Sequence, residues 1–455
     1  MRPVIQQSGT LRPAPHRQFF PVRDAVASRW GLYEGEPEPC RRTLWQFLPI
    51  FAHFGVLLAA FKVYELEGRA FQLLMPLALV ALPVHYALHY RWKKHFLLAV
   101  SLVALAIVFG SVTAAIVFGF AAALIAIAFA PFSWNKRAAA IAALTLLMAL
   151  ARTRAAATGI PENVWPVLAS IFMFRMILFL YELKHAKKPE SLLDALSYFF
   201  LLPNACFVLF PVVDYRTLQR GYFARGIHAI QRKGLQMMFR GTIQLLLYRL
   251  VYYKALTNPE EVHDLGSLAV FLACNYLLYL HVSGQFHIAC GLLHLFGYDL
   301  PETHHNYLLA TGFTDYWRRI NIYWKDFMVR LVFNPVAFRL KRWPQPAMLA
   351  IATTSVFLAT WLLHAYQSFW LTGSWNFSMP DALFWGILGG LVLINVQLDA
   401  RRPRASRVET RRGPRIIVRV LKTAATFTII ILLWSLWTSP SVSAWTGMLR
   451  RGLKI

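Results

Sequence analysis

A histidine inside a long apolar segment is the residue of this chain best placed to do chemistry. His364 lies in the segment 347–370, about six residues past its middle, or roughly 9 Å toward the outer side at helical rise. An ionisable side chain at membrane depth is costly and is usually functional. A neutral imidazole can accept a proton near neutral pH, as a general base must. The alternative is a structural histidine hydrogen-bonded to a neighbouring helix, and the residues alone leave both interpretations open.

Polar neighbours of His364 recur at helical spacing. Thr353, Thr360, His364 and Gln367 stand at positions i, i+7, i+11 and i+14. That spacing puts the four side chains on one helix face, so we expect a polar stripe that points into a bundle.

A second polar stripe occupies the segment 267–297. Ser283, His287, Cys290 and His294 recur in steps of four, three and four residues on one helix face. His287 and His294 are two turns apart, which is too far for a helical i, i+4 metal pair, and no carboxylate is near. We therefore expect structural or tunnel-lining roles for these side chains and no metal site.

Two further groups of residues are expected to take no part in catalysis or metal binding. His304 and His305 lie in a polar loop, where we expect solvent to surround them. The cysteines show neither metal-ligand spacing nor a disulfide pattern, and most lie in apolar runs as core fillers. They are Cys40, Cys206, Cys274 and Cys290.

The composition indicates a membrane protein that would hold these side chains on helices. Of the 455 residues, 57% are hydrophobic and only 15% are charged, and the hydrophobic residues cluster in blocks. Blocks of about 20 apolar residues cross a hydrocarbon core of roughly 30 Å. We predict an all-α polytopic membrane protein. The candidate spans are 48–62, 71–89, 95–112, 113–131, 138–151, 164–182, 193–213, 236–254, 267–297, 347–370, 382–398 and 416–438.

The net charge of +26 is distributed in a way that argues against nucleic acid as a partner. Loops rich in Lys and Arg alternate with neutral or acidic loops such as 255–266, and this alternation sets orientation in a bilayer. It predicts a cytoplasmic N-terminus, with basic loops facing an anionic leaflet. The basic loop 401–415 is either a solvated cytoplasmic loop or a docking patch for an acidic partner.

Three parts are expected along the chain. Residues 1–47 form a basic cytoplasmic segment, residues 48–438 form the transmembrane domain, and residues 439–455 form a short basic tail. We expect no cleavable signal peptide, because the first apolar block begins only near Leu48.

The segment 193–213 is irregular for a spanning helix because it contains Pro203 and Pro211. Both of its flanks are basic, so the orientation pattern requires the chain to return to the side it came from. Irregular backbone at membrane depth is tolerated where protein or water surrounds it. We predict a re-entrant element here and about eleven spanning helices in all.

The region from His281 to Pro335 carries a series of motifs. It reads S-G-x-x-x-I-A-x-G-L-x-x-L-F-G, then L-P-E, then D-Y-W-R-R. This order resembles the membrane-bound O-acyltransferase family, most closely its bacterial branch of alginate O-acetylation and teichoic-acid D-alanylation proteins. The resemblance covers most of 160–400, with its signature region at 267–399. It implies a bundle with a central tunnel.

The resemblance also proposes roles for two residues. Similar proteins carry a histidine in L-x-G-L-W-H-G after the basic signature loop, where this chain has LATWLLHAYQSFW. By resemblance His364 is the catalytic base, although Trp361 lies three residues before it and Ala365 replaces the glycine. Asn321 stands where bacterial relatives usually have His, and its amide would donate to a carbonyl oxygen as charge develops. The alternative is an amide that satisfies loop backbone.

The rest of the signature is expected at the cytoplasmic mouth of the tunnel. Tyr316, Trp317, Arg318, Arg319 and Trp324 would line it. The two guanidinium groups would pair with phosphates of the donor's pantetheine or nucleotide part. Anchoring by the positive-inside rule explains them as well.

The implied activity is transfer of an acyl group, such as acetyl, to a hydroxyl of a cell-envelope glycan. The donor would be a cytoplasmic thioester, either acyl-CoA or an acyl carrier protein, with no bound cofactor. An outer-face acyltransferase is an expected partner. Relatives often read D-F-S-G-Y-S-D where this chain has His281 and His287 in place of both aspartates, which leaves the acceptor open.

Two alternatives stay open. The acceptor is a lipid, sterol or peptide, or the chain is a transporter that keeps the fold without the chemistry. Broken spans in two matching halves, which would favour a transporter, are not visible. The sequence also lacks a P-loop, a G-x-S-x-G elbow and an H-E-x-x-H pair.

Overall fold

The structure is a computed structural model that describes residues 42–154, 158–170, 174–185, 191–205, 213–401 and 413–454. Within these residues the chain is helical, and the only β-type pairing is an isolated bridge between Tyr222 and Tyr298. The predicted all-α fold is confirmed for this part of the chain. The segment 1–41 and most of loop 401–415, for which we made predictions, lie outside it.

The helices follow the apolar blocks closely. They are α1 (Leu44–Val63), α2 (Arg69–Ala87), α3 (Tyr90–Phe109), α4 (Ser111–Phe129), α5 (Trp134–Thr153), α6 (Val164–Ser170), α7 (Met176–His185), α8 (Leu192–Phe199), α9 (Tyr215–Gly221), α10 (Ile227–Leu250), α11 (Leu265–Leu277), α12 (Tyr279–Leu295), α13 (Phe313–Ile320), α14 (Ile322–Met328), α15 (Asn334–Arg339), α16 (Gln345–Thr372), α17 (Met379–Arg401), α18 (Gly413–Trp437) and α19 (Val442–Leu453).

Eight helical segments of the described chain are long and apolar enough to cross a membrane. This finding supports the predicted multi-pass membrane protein, whereas the count of about eleven spans is not confirmed. The eight are α1 to α4, α11 with α12 as one segment Leu265–Leu295, α16, α17 and the part Ile416–Trp437 of α18.

The predicted spans that fall short of this criterion carry charge or are interrupted. Helix α5 bears Lys136 and Arg137 near its start, and α10 bears Arg240 and Arg249. The predicted span 164–182 is divided between α6 and α7. For 193–213, α8 has only eight residues and ends before Pro203, and residues 206–212 lie outside the part of the chain that the structure describes. Its return to the same side of the membrane stays a prediction.

Glycines allow α10 and α12 to pack backbone against backbone. A Cβ on Gly234 would lie 2.7 Å from the carbonyl oxygen of Gly291, and a Cβ on Gly241 would lie 2.7 Å from that of Gly284. The glycines are spaced seven residues apart on each helix, so two turns of each face its partner. Small residues at such an interface bring helices together in lipid, where hydrophobic burial cannot. This pair is the rigid wall behind the region described below.

The loop between α12 and α13 is fixed by backbone hydrogen bonds to α13 and α14. The amide of Ile322 donates to Thr303 O at 2.9 Å, and the amide of His305 donates to Arg319 O at 3.0 Å. The amide of Phe313, the first residue of α13, donates to Asn395 Oδ1 on α17 at 2.8 Å. These contacts hold α13 and α14 between α12 and the pair α16–α17.

Candidate functional site

A cavity of about 500 Å³ lies among α11, α12, α13, α14, α16, α17 and α18. Aromatic and aliphatic side chains form most of its wall. Besides two tyrosines, Tyr279 and Tyr316, its polar lining residues are Asn275, Gln285, Asn321, His364, Gln367 and Thr438. The structure therefore brings His364 and Asn321, which are far apart in sequence and lie on separate elements, to the wall of one cavity.

Aromatic rings hold the imidazole of His364. Trp385 stacks on it at 4.9 Å between ring centroids, Trp324 lies at 5.4 Å, and Trp437 meets it edge-on at 6.1 Å. Among the described residues no side chain or backbone group hydrogen-bonds to this imidazole. Its nitrogens are thus left for a ligand in the cavity, which is what a general base requires.

A buried carboxylate fixes the tryptophans around His364. Asp381, at the start of α17, is only 7% exposed and accepts hydrogen bonds from three indole N–H groups. Its Oδ2 accepts from Trp361 at 2.5 Å, and its Oδ1 accepts from Trp437 at 2.6 Å and Trp385 at 3.2 Å. Two of these indoles, Trp385 and Trp437, also contact His364.

Asp381 was not predicted from the sequence as a site residue. One signal was present, because Asp381 and Trp385 are four residues apart and therefore adjacent on a helix face. The contributions of Trp361 and Trp437 come from other helices and leave no local pattern.

Asn321 combines the two roles that the sequence left open. Its Oδ1 accepts from the backbone amide of Trp324 at 3.1 Å and so caps the start of α14. Because a backbone N–H can only donate, this bond identifies the atom facing it as the oxygen. The Nδ2 group is left without a hydrogen-bond partner in the described chain, on a residue that lines the cavity. An amide held in this way can donate to a ligand's oxygen.

The other predicted lining residues divide into two sets. Tyr316, Trp317, Trp324 and Gln367 line the cavity. Thr360 is fully buried behind it and accepts a hydrogen bond from Trp324 Nε1 at 3.3 Å, so it supports a ring that contacts His364.

The arginines of the signature lie outside the cavity wall. Arg318 is exposed, and Arg319 pairs with Asp315, one helical turn earlier, at 2.6 Å. Burial by itself would raise the pKa of Asp315, but the hydrogen bonds from Arg319 and Thr311, together with the positive charge of Arg319, outweigh burial and lower the pKa. The predicted contact with donor phosphates stays a prediction.

The stripe on α12 faces the protein interior and not this cavity. Ser283 Oγ lies 3.1 Å from Tyr307 Oη, His287 Nδ1 lies 2.7 Å from Gln244 Oε1, and Cys290 is fully buried. Neither Ser283 nor His287 is among the residues that line the cavity, and the tunnel-lining role expected of them stays a prediction.

Solvation of His304 was predicted wrongly. Its side chain is 1% exposed, whereas its neighbour His305 is exposed. The phenol of Tyr279 lies 2.9 Å from His304 Nε2, and the loop folds under α12, which buries the ring. Burial holds the pKa of His304 well below its ordinary value, and the nearby His287 lowers it further.

Metal ligands do not cluster in the described residues. No group of three or more His, Cys, Asp or Glu side chains there is placed to hold an ion.

Comparison with known proteins adds no assignment. No family model matches this chain, and neither does any curated protein.

Proposed function

We propose that this protein is a membrane O-acyltransferase whose reaction takes place in the cavity lined by His364 and Asn321. The single observation that carries the proposal is that these two residues line one cavity. The imidazole is free of hydrogen bonds within the described chain, and the amide presents its nitrogen. A base and an oxyanion donor are the two groups that acyl transfer to an alcohol requires.

The reaction balances without any further reagent. The acceptor hydroxyl gives its proton to His364 while its oxygen attacks the carbonyl carbon of the donor thioester. The negative charge that forms on the carbonyl oxygen receives a hydrogen bond from Asn321 Nδ2. The C–S bond then breaks, and the departing thiolate takes the proton from His364. One C–O bond has replaced one C–S bond, and the histidine is neutral again.

The wall of the cavity has its own part in this chemistry. Three tryptophans, Trp324, Trp385 and Trp437, surround the imidazole with apolar ring surface, and a bound donor and acceptor would complete its separation from water. Exclusion of water protects the thioester from hydrolysis and strengthens the hydrogen bond to the oxyanion.

The substrates and the membrane orientation are proposed from the charge pattern and the motifs. The thioester, acyl-CoA or an acyl carrier protein, enters from the cytoplasm, and the acceptor is a cell-envelope glycan or an outer-face partner that passes the acyl group on. The bilayer is then the plasma membrane, with the N-terminus cytoplasmic. A lipid, sterol or peptide acceptor is the second candidate, which the mostly apolar wall favours.

Acetyl transfer from radiolabelled acetyl-CoA by the purified protein in proteoliposomes tests the proposal. Methyl β-D-glucopyranoside and 1-dodecanol serve as the sugar and the lipid-like acceptors. We expect His364→Ala to lower the rate about 10²- to 10⁴-fold, the usual contribution of a general base. His305→Ala, in an exposed loop, is the matched control and should keep the full rate.

Asn321 permits a sharper test because its two functions can be separated. Asn321→Asp keeps an oxygen to cap α14 but has no amide donor, so the fold should persist while the rate falls about 10²- to 10³-fold. Thioester consumption that survives both His364→Ala and Asn321→Asp would refute the proposal. Transport of a solute by such variants would instead favour the transporter.

A further inference from the structure

One wall of the cavity carries an amide whose orientation is determined by its partner. Gln285 of α12 lines the cavity, and its Nε2 lies 2.7 Å from Glu67 Oε2. A carboxylate can only accept hydrogen bonds, so the atom that faces it must be the amide nitrogen. The carbonyl oxygen, Oε1, is the remaining polar atom of the amide and has no hydrogen-bond partner in the described chain. Gln285 therefore offers the cavity a fixed acceptor.

Glu67 is itself held firmly in place. Its side chain is 6% exposed, and its Oε1 lies 2.9 Å from Nε2 of His281. His281 lies 3.2 Å from the amide nitrogen of Gln285 and stacks on Tyr248 at 4.5 Å. The backbone of Glu67 has φ of 67°, a left-handed conformation that non-glycine residues rarely adopt. Such strain is kept where the surrounding structure requires a particular placement.

The loop that carries Glu67 is tied to its surroundings on both sides. Gln72 Nε2 donates to Leu66 O at 2.9 Å, and the guanidinium of Arg249 donates to Glu65 O at 2.8 Å and to Tyr64 O. The acceptor at Gln285 is thus supported by contacts from α1–α2, α10 and α12 together.

The orientation of the Asn275 amide is set through a hydroxyl. Thr438 Oγ1 donates its proton to Trp434 O at 3.1 Å, so it accepts from Asn275 Nδ2 at 2.8 Å. Asn321 presents a donor, as described above. Gln285 thus complements Asn321, with an acceptor on α12 opposite in kind to the donor at α14.

We propose that Gln285 Oε1 binds a second, non-reacting hydroxyl of the acceptor, which makes the acceptor a polyol, and that Glu67 positions the amide. The inference rests on the proposed acyltransferase activity. A hydroxyl has a single proton, and the reacting hydroxyl gives that proton to His364. The donor that pairs with Gln285 must therefore come from another group of the same molecule. A sugar satisfies this requirement, whereas an alcohol with one hydroxyl does not.

The test compares substrates within each variant, so that a general loss of structure cancels. Acetyl transfer from radiolabelled acetyl-CoA is measured with methyl β-D-glucopyranoside, its monodeoxy analogues and 1-dodecanol. For the wild type we expect one analogue that keeps the acetylated hydroxyl to lose about tenfold or more in kcat/KM, because it leaves the acceptor on the cavity wall unpaired. In Gln285→Met, a substitution of similar size, that discrimination should fall to within about twofold. The KM for acetyl-CoA should not change.

Two further variants locate the effect. Glu67→Gln lets the amide of Gln285 turn either way, because its new partner can donate as well as accept, so discrimination should fall there too. Gln244→Met is the matched control: Gln244 faces His287 and not the cavity, and its discrimination should equal that of the wild type.

The possible outcomes distinguish failure of the polyol inference from failure of the proposed acyltransferase function. Equal discrimination in the wild type and Gln285→Met, or acetylation of 1-dodecanol in preference to the sugar, would overturn the polyol inference while His364-dependent transfer stands. If no acceptor is acetylated and thioester consumption is independent of His364, the proposed function fails, and the inference fails with it.

Discussion

Replacing Asp381 by leucine tests whether the ring environment of His364 matters for catalysis. The substitution keeps the approximate size of the side chain but removes the acceptor of three indole N–H groups, at 2.5, 2.6 and 3.2 Å. Trp385 and Trp437 would lose the bonds that orient them, and both contact the imidazole. We expect the protein to fold and the reaction to slow.

The expected destabilisation by Asp381→Leu follows from the number of hydrogen bonds that are lost. Hydrogen bonds to a charged group contribute about 1.5–3 kcal/mol each, so three contribute roughly 4.5–9 kcal/mol. Removing the buried carboxylate also removes its desolvation penalty of several kcal/mol, which offsets part of this loss. The net destabilisation should thus be about 1–4 kcal/mol. A catalytic group displaced by about 1 Å can lose 10²-fold in rate, so we expect kcat to fall about 10- to 100-fold.

Two single-ring variants make this a test of positioning. Trp385→Phe and Trp361→Phe each remove one indole donor to Asp381, so both should lower the unfolding temperature in detergent by similar amounts. Only Trp385 stacks on His364, whereas Trp361 contacts Phe377. We expect kcat to fall for Trp385→Phe and to stay within about threefold of the wild type for Trp361→Phe. Equal losses in both, or a wild-type kcat in Asp381→Leu, would refute the reasoning.

Three other predictions concern the supports of the site. Thr360→Val removes the acceptor of Trp324 Nε1 at 3.3 Å, so kcat should fall by less than in Asp381→Leu, about two- to tenfold, in the same transfer assay. Gly291→Ala would put a Cβ 2.4 Å from Met238 Cγ and 2.6 Å from Gly234 O, which should destabilise the fold by about 1–3 kcal/mol in detergent unfolding. Gly119→Ala, with no atom within 4 Å of its Cβ, is the control and should not destabilise. Asp315→Asn should cost about 1 kcal/mol at pH 7. Because the folded pKa of Asp315 is lowered, that difference exists above the unfolded value near 4 and should disappear as the pH falls through the folded pKa. A difference that persists in acid would contradict the Arg319 pairing as its cause.

Hydropathy alone located most of the helices, because each residue's preference for lipid adds up locally along the chain. The boundary between α3 and α4 at Gly110 falls within three residues of the point where the spans 95–112 and 113–131 were predicted to meet. The number of spans was harder to predict. Helix α10 carries Arg240 and Arg249 on a largely apolar background, so composition does not decide whether it crosses the membrane.

His364 and Asn321 were chosen from the sequence by residue type, spacing and motif resemblance. That they line one cavity could not be read from the sequence, because α14 and α16 are brought together only by packing. The burial of His304 was missed for the same reason. A polar loop is normally solvated, but this one is held under α12 by backbone hydrogen bonds to α13 and α14.

The sequence by itself indicated a helical membrane protein, the helical face that carries His364 and the residues that we propose for acyl transfer. Only the tertiary structure decided which polar groups meet. The three indoles at Asp381 come from three helices, and Glu67 reaches Gln285 across more than two hundred residues. Local preferences are sums along the chain, whereas a hydrogen bond depends on two atoms meeting at the right distance. No pattern along the chain specifies that distance when the partners lie on different helices.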